Sequence, residues 1–392
     1  MTRILATGDW HVDAHPDYGR EPGDRLADQR ATIEKIVDLA IDNDVDALLL
    51  AGDLWHQRQP SSAARLAVWE PLRRLHAEHR CDILAIPGNH CIEAATESGI
   101  ALEHFVDFID VHRQPGIWTT QGCAVATLPW APISRLVATR NGGERDDLYL
   151  EAAQLLIATA RGLRARMPDG VPSLLLTHFS ISGAVTPTGR DVGPDFGVVL
   201  PLEELEALGF DAVLAGHIHL QQVLSDDPFV GYVSSPAPVD FAEANSDHGC
   251  LLLDFDGGCL ATEYLPIASR AFVTVDVDFE QGEDFSQLLE HYGDWSDVAD
   301  AVVRVRYRAN EDDARHVDQG AVKRALYDLG AHRVHQVTLD PIRTDRARVA
   351  GVHEEISPLA AFDLYAIANA LDPDFAARAR ARLAEHLEAV AS

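Results

Sequence analysis

Lysine is nearly absent: Lys35 and Lys323 are all that a chain of 392 residues carries. The other basic residues are Arg, and 32 basic against 62 acidic side chains leave a formal net charge of −30. Such a surface favours solubility and repels nucleic acid unless local basic patches or cations offset it. A compositional bias or a salty cytoplasm accounts for the balance, which identifies no partner. Cysteine is scarce and unpatterned. Cys81, Cys91, Cys123, Cys250 and Cys259 are odd in number with no Cys-x-x-Cys spacing, which excludes a disulfide framework and a thiolate zinc site. Apolar runs are short, too short to cross a bilayer. Arg3-Ile4-Leu5 leads straight into the first motif, so no secretory leader is expected and a soluble, cytoplasmic protein is.

What the chain does have is a 47% hydrophobic content, enough for a full core and for two domains plus a tail. Five motifs follow one another: Asp9-Trp10-His11, Gly52-Asp53, Gly88-Asn89-His90, Thr177-His178 and Gly216-His217-Ile218-His219. Each comes just after an apolar run, the clearest being Ala47 to Ala51, Leu174 to Leu176 and Ala212 to Ala215. Short apolar runs between Gly and Pro read as strands buried on both faces. Their carboxyl ends converge on one edge, where open α/β sheets place their sites. Singly, each motif is weak, since Asp-x-His or Gly-Asp is most often a turn. All five in order, each at a strand end, leave little room for chance.

Helices are expected from about Arg25 to Ile41, from Ser61-Ser62 to about Glu78, and near Leu148 to Arg164. After Gly216 the rhythm changes to short strands, so a layered α/β sandwich with a strand-rich second half is expected. A boundary falls near Ile267-Ala268. From there strand, helix, strand, helix, strand reads as a small α+β domain. Ser357-Pro358 and Asp372-Pro373 each open a closing helix. The expected division is residues 1–267, 268–345 and 346–392.

Cutting a phosphodiester needs a nucleophile, charge relief on the phosphate and protonation of the leaving oxygen. Two divalent metals about 3.5–4 Å apart supply the first two when a carboxylate bridges them. Mixed imidazole, carboxylate and amide ligation suits Mn, Fe or Zn better than Ca. Asp53 is the candidate bridge. Asp9 and His11 stand two apart on a stretch expected to be extended, so that both face one side, and His217 and His219 repeat that spacing. Asn89 offers a neutral oxygen, while His90 is left to donate a proton.

This set resembles the calcineurin-like metallophosphoesterase superfamily, and in detail its SbcD branch, the nuclease subunits of SbcC–SbcD DNA-end-processing complexes. Asp28-Gln29-Arg30, Gly52-Asp53-Leu54-Trp55-His56 with Pro60-Ser61, and the later Ser235-Pro236, Phe241, Glu243 and Gly249 are similar to that branch's segments, as is Arg348-Val349-Ala350-Gly351. The resemblance covers nearly the whole chain. It implies a four-layer α/β/β/α sandwich with a small α+β capping domain and C-terminal helices. One metal would be held by Asp9, His11, Asp53 and His219, the other by Asp53, Asn89, His178 and His217. His90 would act as acid or transition-state stabiliser, and His56 would help seat the substrate phosphate. Manganese, 3′ exonuclease activity on duplex DNA, single-strand nicking and a role in break repair or recombination are also implied. The implied partners are DNA and an SbcC-type coiled-coil ATPase, in a heterotetramer around a homodimer, with no membrane. One departure stands out: relatives commonly have Asp after the catalytic His, where this chain has Cys91. Another acid such as Glu93 would then orient His90, or turnover would be weaker.

Arg304, Arg306 and Arg308 alternate with Val303, Val305 and Tyr307, which puts three guanidiniums on one strand face. They are candidates for DNA-backbone contact, against the plainer reading of a solvated face; Arg343, Arg346 and Arg348 are a second such cluster. Leu359, Phe362 and Tyr365 recur at three-residue spacing on the first closing helix. They are the candidate surface for the ATPase, against packing on their own domain. Two other functions stay open: a stand-alone phosphodiesterase or phosphatase on small molecules or phosphoproteins, and a weakly active metal-binding scaffold for the ATPase.

Overall fold

The structure is a computed structural model that describes residues 2–91, 107–120, 122–137, 145–256, 259–278, 295–309, 317–341 and 356–391. Along the first part run β1 (Thr2–Thr7), α1 (Asp24–Asp42), β2 (Ala47–Leu50), α2 (Ser62–His79), β3 (Asp82–Ala85), β4 (Asp110–Val111), β5 (Gly116–Thr120) and β6 (Cys123–Leu128). There follow α3 (Ile133–Leu136), α4 (Arg145–Arg164), β7 (Ser173–Thr177), β8 (Ser180–Ile181), β9 (Val199–Leu200), α5 (Leu202–Glu206) and β10 (Ala212–Ala215). Next come β11 (Gln222–Asp226), β12 (Phe229–Tyr232), β13 (Gly249–Asp256) and β14 (Cys259–Pro266).

Two six-stranded sheets result, ordered β14-β13-β1-β2-β3-β4 and β11-β12-β10-β7-β6-β5. Within them β1, β2, β3 and β4 are parallel, as are β12, β10, β7 and β6. The apolar runs owe their continuity to burial on both faces. Ile4, Ala6, Leu49, Leu174, Leu176 and Leu214 point into a layer between the sheets. Leu5, Leu48 and Leu50 point the other way, onto Ile33, Ile36 and Val37 of α1 and Val68 and Leu72 of α2. Leu175 and Val213 face Leu156 and Ile157 of α4. The order of layers is therefore α/β/β/α, as expected.

Five strands escaped sequence reading: the two-residue β4, β8 and β9, and the longer β5 and β14, the last two for a physical reason. β14 pairs with β13 along eight register positions, but it lies at a sheet edge, no residue of it is fully buried, and only Leu260 and Leu265 pack partly against the core, so its apolar pattern is weak. β5 is likewise an edge strand, antiparallel to β6.

Further on come β15 (Phe272–Asp278), β16 (Val302–Ala309), α6 (Gln319–Asp328) and β17 (Arg333–Pro341), the strands ordered β15-β16-β17. Then follow α7 (Pro358–Ala368) and α8 (Pro373–Ala391). The chain divides into two compact units: Met1–Val275 with Tyr292–Val305 and Gln319–Val337, and Asp276–His291 with Arg306–Asp318 and Thr338–Ser392. In the second unit Ser357 caps α7 through the Ala360 N–H, and Asp372 caps α8 through the Phe375 N–H, the ends that Ser-Pro and Asp-Pro foretell.

Candidate metal centre

The motif side chains meet at one edge, and they come from both sheets. Asp9 and His11 follow β1, Asp53 follows β2, and Asn89 and His90 follow β3; His178 follows β7, and His217 and His219 follow β10. Asp9, His11, Asp53 and His178 are all but fully buried. The backbone that carries them is not extended, contrary to expectation. Asp9 has φ 52°, His11 44°, Asp53 49° and His217 90°, a left-handed region that non-glycine residues rarely occupy. Alternation along a strand therefore does not bring Asp9 and His11 together; sharp turns past the strand ends do. Glycine makes the approach possible. A Cβ on Gly88 would lie 2.3 Å from Asp53 Oδ1, and one on Gly216 would lie 2.3 Å from the Ala51 carbonyl oxygen.

The donor atoms face one another. His178 Nδ1–H donates to the Ala51 carbonyl at 2.6 Å, so Nε2 carries the lone pair. That nitrogen sits 3.2 Å from Asp53 Oδ2 and 3.2 Å from Asn89 Oδ1. His217 Nδ1 is 3.0 Å from the same Asn89 oxygen. On the other side, His11 Nε2 and His219 Nε2 are 3.0 Å apart, and His11 Nε2 is 3.9 Å from Asp53 Oδ2. Asp9 accepts the His217 N–H on both carboxylate oxygens, at 3.1 and 2.9 Å. Three groups close enough to hold a cation lie here: Asp9 with His11 and His219, Asp9 with Asp53 and His178, and His11 with His56 and His90.

Acceptors set against acceptors in a buried place repel unless positive charge lies between them. Burial would lower His219, but Glu243, bonded to its Nδ1 at 2.6 Å, outweighs it and holds the pKa at about 9. Burial would lower His178 too, and Asp53 raises it instead. Asp53 in turn stays ionised: burial works against its charge, while His178 and His11 hold its carboxyl well below the usual range. Burial, reinforced by neighbouring imidazoles, pushes His217 down to about 3 and His11 well below its ordinary value. A proton on His219 thus stands where a cation would otherwise sit. The donor set of imidazole, carboxylate and amide oxygen fits two divalent ions.

Around this core, His90 Nδ1–H donates to the His56 carbonyl at 2.8 Å, leaving Nε2 outside that bond. Its own N–H donates to Asp53 Oδ1 at 2.8 Å. His56 Nδ1 lies 3.2 Å from His11 Nδ1, and its ring stacks 4.9 Å from that of His90. Cys91 is buried, with Sγ 3.7 Å from Asp53 Oδ1. Burial, with Asp53 beside it, pushes the thiol up to about 12, so it stays a thiol. Glu93 lies outside the described residues.

Two supporting residues stand out in the sequence only through the segments that resemble the SbcD branch, with no role attached. Glu243 fixes His219, and its other oxygen accepts from the Ser235 hydroxyl at 3.0 Å and the Val239 N–H at 3.1 Å. Gln29 donates to the His11 carbonyl and accepts the Asp13 N–H, both at 3.0 Å, pinning the turn that carries His11.

Elsewhere, Arg304, Arg306 and Arg308 do share one face of β16. Arg304 reaches Thr274 Oγ1 at 2.9 Å and lies over Phe241. Arg306 makes a forked pair with Asp276 at 2.7 and 2.6 Å, and Arg308 is 4.0 Å from Asp340. Arg343, Arg346 and Arg348 lie outside the described residues. Leu359 and Phe362 are half-buried and Tyr365 is 47% exposed, with no buried residue on α7. No helix among the described residues is long and apolar enough to cross a membrane.

A family model described as calcineurin-like phosphoesterase matches residues 2–221. The SbcD component of the SbcCD nuclease of Rhodobacter capsulatus is 28% identical over 295 residues, which span 68% of this chain and 69% of that protein. The DNA double-strand break repair protein Mre11 of Haloferax volcanii is 27% identical over 366 residues, 89% of this chain and 74% of that one. Among solved structures, a dimetal phosphatase from Danio rerio is 10% identical with a TM-score of 0.41, over 68% of this chain and 99% of that one.

Proposed function

The chain belongs to the calcineurin-like phosphoesterase family, and from that membership and its SbcD and Mre11 relatives we propose that it is a metal-dependent DNA nuclease serving break repair or recombination. The observation that carries this reading is the convergence of buried imidazole and carboxylate donors from both sheets on one edge. Asp9, His11, Asp53 and His219 would hold one cation, and Asp53, Asn89, His178 and His217 the other, with manganese as the metal. When bound, the pair supplies charge neutralisation on the phosphate and an activated water.

The remaining work falls to side chains. Glu243 keeps His219 in the tautomer whose Nε2 faces the centre, and the Ala51 carbonyl does the same for His178. His90, aimed by the His56 carbonyl, is placed to act as the acid: as an imidazolium it would give a proton from Nε2 to the leaving oxygen and keep the Nδ1–H bond. His56, stacked on His90, is placed to seat the phosphate. Residues 268–345 are read as a DNA-capping domain in which Arg304, Arg306 and Arg308 meet the backbone of DNA. The span 346–392 is read as the ATPase-docking tail, through Leu359, Phe362 and Tyr365. An SbcC-type ATPase, a homodimer within a heterotetramer, 3′ exonuclease and single-strand endonuclease activity, and the cytoplasm complete the reading.

The test is direct. Purified protein with manganese should shorten end-labelled duplex DNA and nick single strands. Conversion of a chromogenic phosphodiester with no effect on DNA would overturn the nuclease reading. His90→Gln should lower turnover by roughly 10²–10⁴-fold with metal content unchanged, as read by elemental analysis of the same samples.

A further inference from the structure

We propose that the cavity beside the metal centre receives a single unpaired nucleobase of the strand being cut; this deepens the nuclease reading and rests on it. The cavity holds about 370 Å³, within the range of small-molecule sites. Asn89 and His217 line it on the side shared with the metal centre, so a group bonded to a phosphate held there is in reach. Trp130, Tyr149, Phe179 and Phe196 give it aromatic walls. Among the described residues no Arg or Lys lines it, so nothing described there would hold a second phosphate. A flat, neutral ring suits it.

The walls are also held in place before any ligand arrives. Trp130 N–H donates to the Pro87 carbonyl at 3.2 Å, tying its loop to the turn that carries Asn89. The Tyr232 hydroxyl accepts the Ile181 N–H at 2.7 Å and donates to the Phe179 carbonyl at 3.2 Å, which fixes the segment on either side of Ser180. A ring entering such a recess leaves the base stack, so a paired base must first be released. Frayed ends and single strands supply that base most cheaply.

The experiment compares deoxyadenosine 5′-monophosphate with 2-deoxyribose 5-phosphate on the manganese-loaded full chain by isothermal titration. The nucleotide should bind about tenfold or more tightly, the usual range for stacking of one base. Trp130→Ala and Phe196→Ala should erase that preference without weakening the sugar phosphate, and Trp130→Phe should keep most of it. In cleavage, an abasic nucleotide beside the scissile phosphate should slow the native chain and not the Trp130→Ala chain. A protein that cuts DNA yet binds both probes equally overturns this proposal alone. So does a variant that loses both probes in proportion, since that marks collapse of the site. A protein that cuts no DNA overturns the nuclease reading and this proposal with it.

Discussion

His90 Nδ1–H donates to the main-chain carbonyl of His56 at 2.8 Å, which gives the backbone a task that an acidic side chain at position 91 could perform. The Cys91 thiol lies against Asp53. Cys91→Ser should therefore leave turnover within about threefold of the native value, measured as kcat on duplex DNA. A large loss would show that the thiol has a part in catalysis. Glu243 matters more. A carboxylate behind a ligating imidazole is worth roughly 10–100-fold in metal affinity, so Glu243→Gln should weaken manganese binding by that order at pH 9. Below that pH a proton competes. His219 titrates at about 9 in the metal-free protein, and metals take neutral imidazole. Affinity should rise from pH 7 to 9, and binding at pH 7 should expel a proton, seen as a heat that changes with the ionisation enthalpy of the buffer.

At the scale of elements, much was legible because burial leaves a trace in composition. Leu48, Leu49 and Leu50 point alternately into two apolar layers, so the run reads as a strand enclosed on both sides. Ser357 and Asp372 announce helix starts because their side chains are the caps. β14 left little trace, since it is an edge strand with no fully buried residue and only Leu260 and Leu265 packing partly against the core. The left-handed turns at Asp9, His11 and Asp53 were also invisible, because tertiary contacts impose them on residues with no preference for them. The pairing of Arg306 with Asp276 was hidden by sequence distance. Gly216 was legible only as part of a motif, and its use is steric. Gly216→Ala must move a Cβ away from the Ala51 carbonyl oxygen, 2.3 Å off. It should cost about 1–3 kcal/mol and weaken metal binding, read as a lower Tm that added manganese only partly restores.

For the molecule as a whole, an acidic surface and a cationic centre act in opposition. The formal charge of −30 leaves DNA affinity to local cations, so binding by the protein alone should be weak and fall steeply with salt. Fluorescence anisotropy between 50 and 200 mM salt, about the range over which such contacts lose most affinity, checks this. His178, His217 and His219 come from one sheet while Asp9, His11, Asp53 and Asn89 come from the other, so neither β-layer owns a complete set of donors. The grip on the ions is then governed by the alignment of the two layers, which Leu49, Leu176 and Leu214 set from the interior. Each of those leucines lies two to four residues ahead of a proposed ligand, so shrinking one should loosen the grip on the ions, which makes the greasy middle of the sandwich a hidden part of the activity.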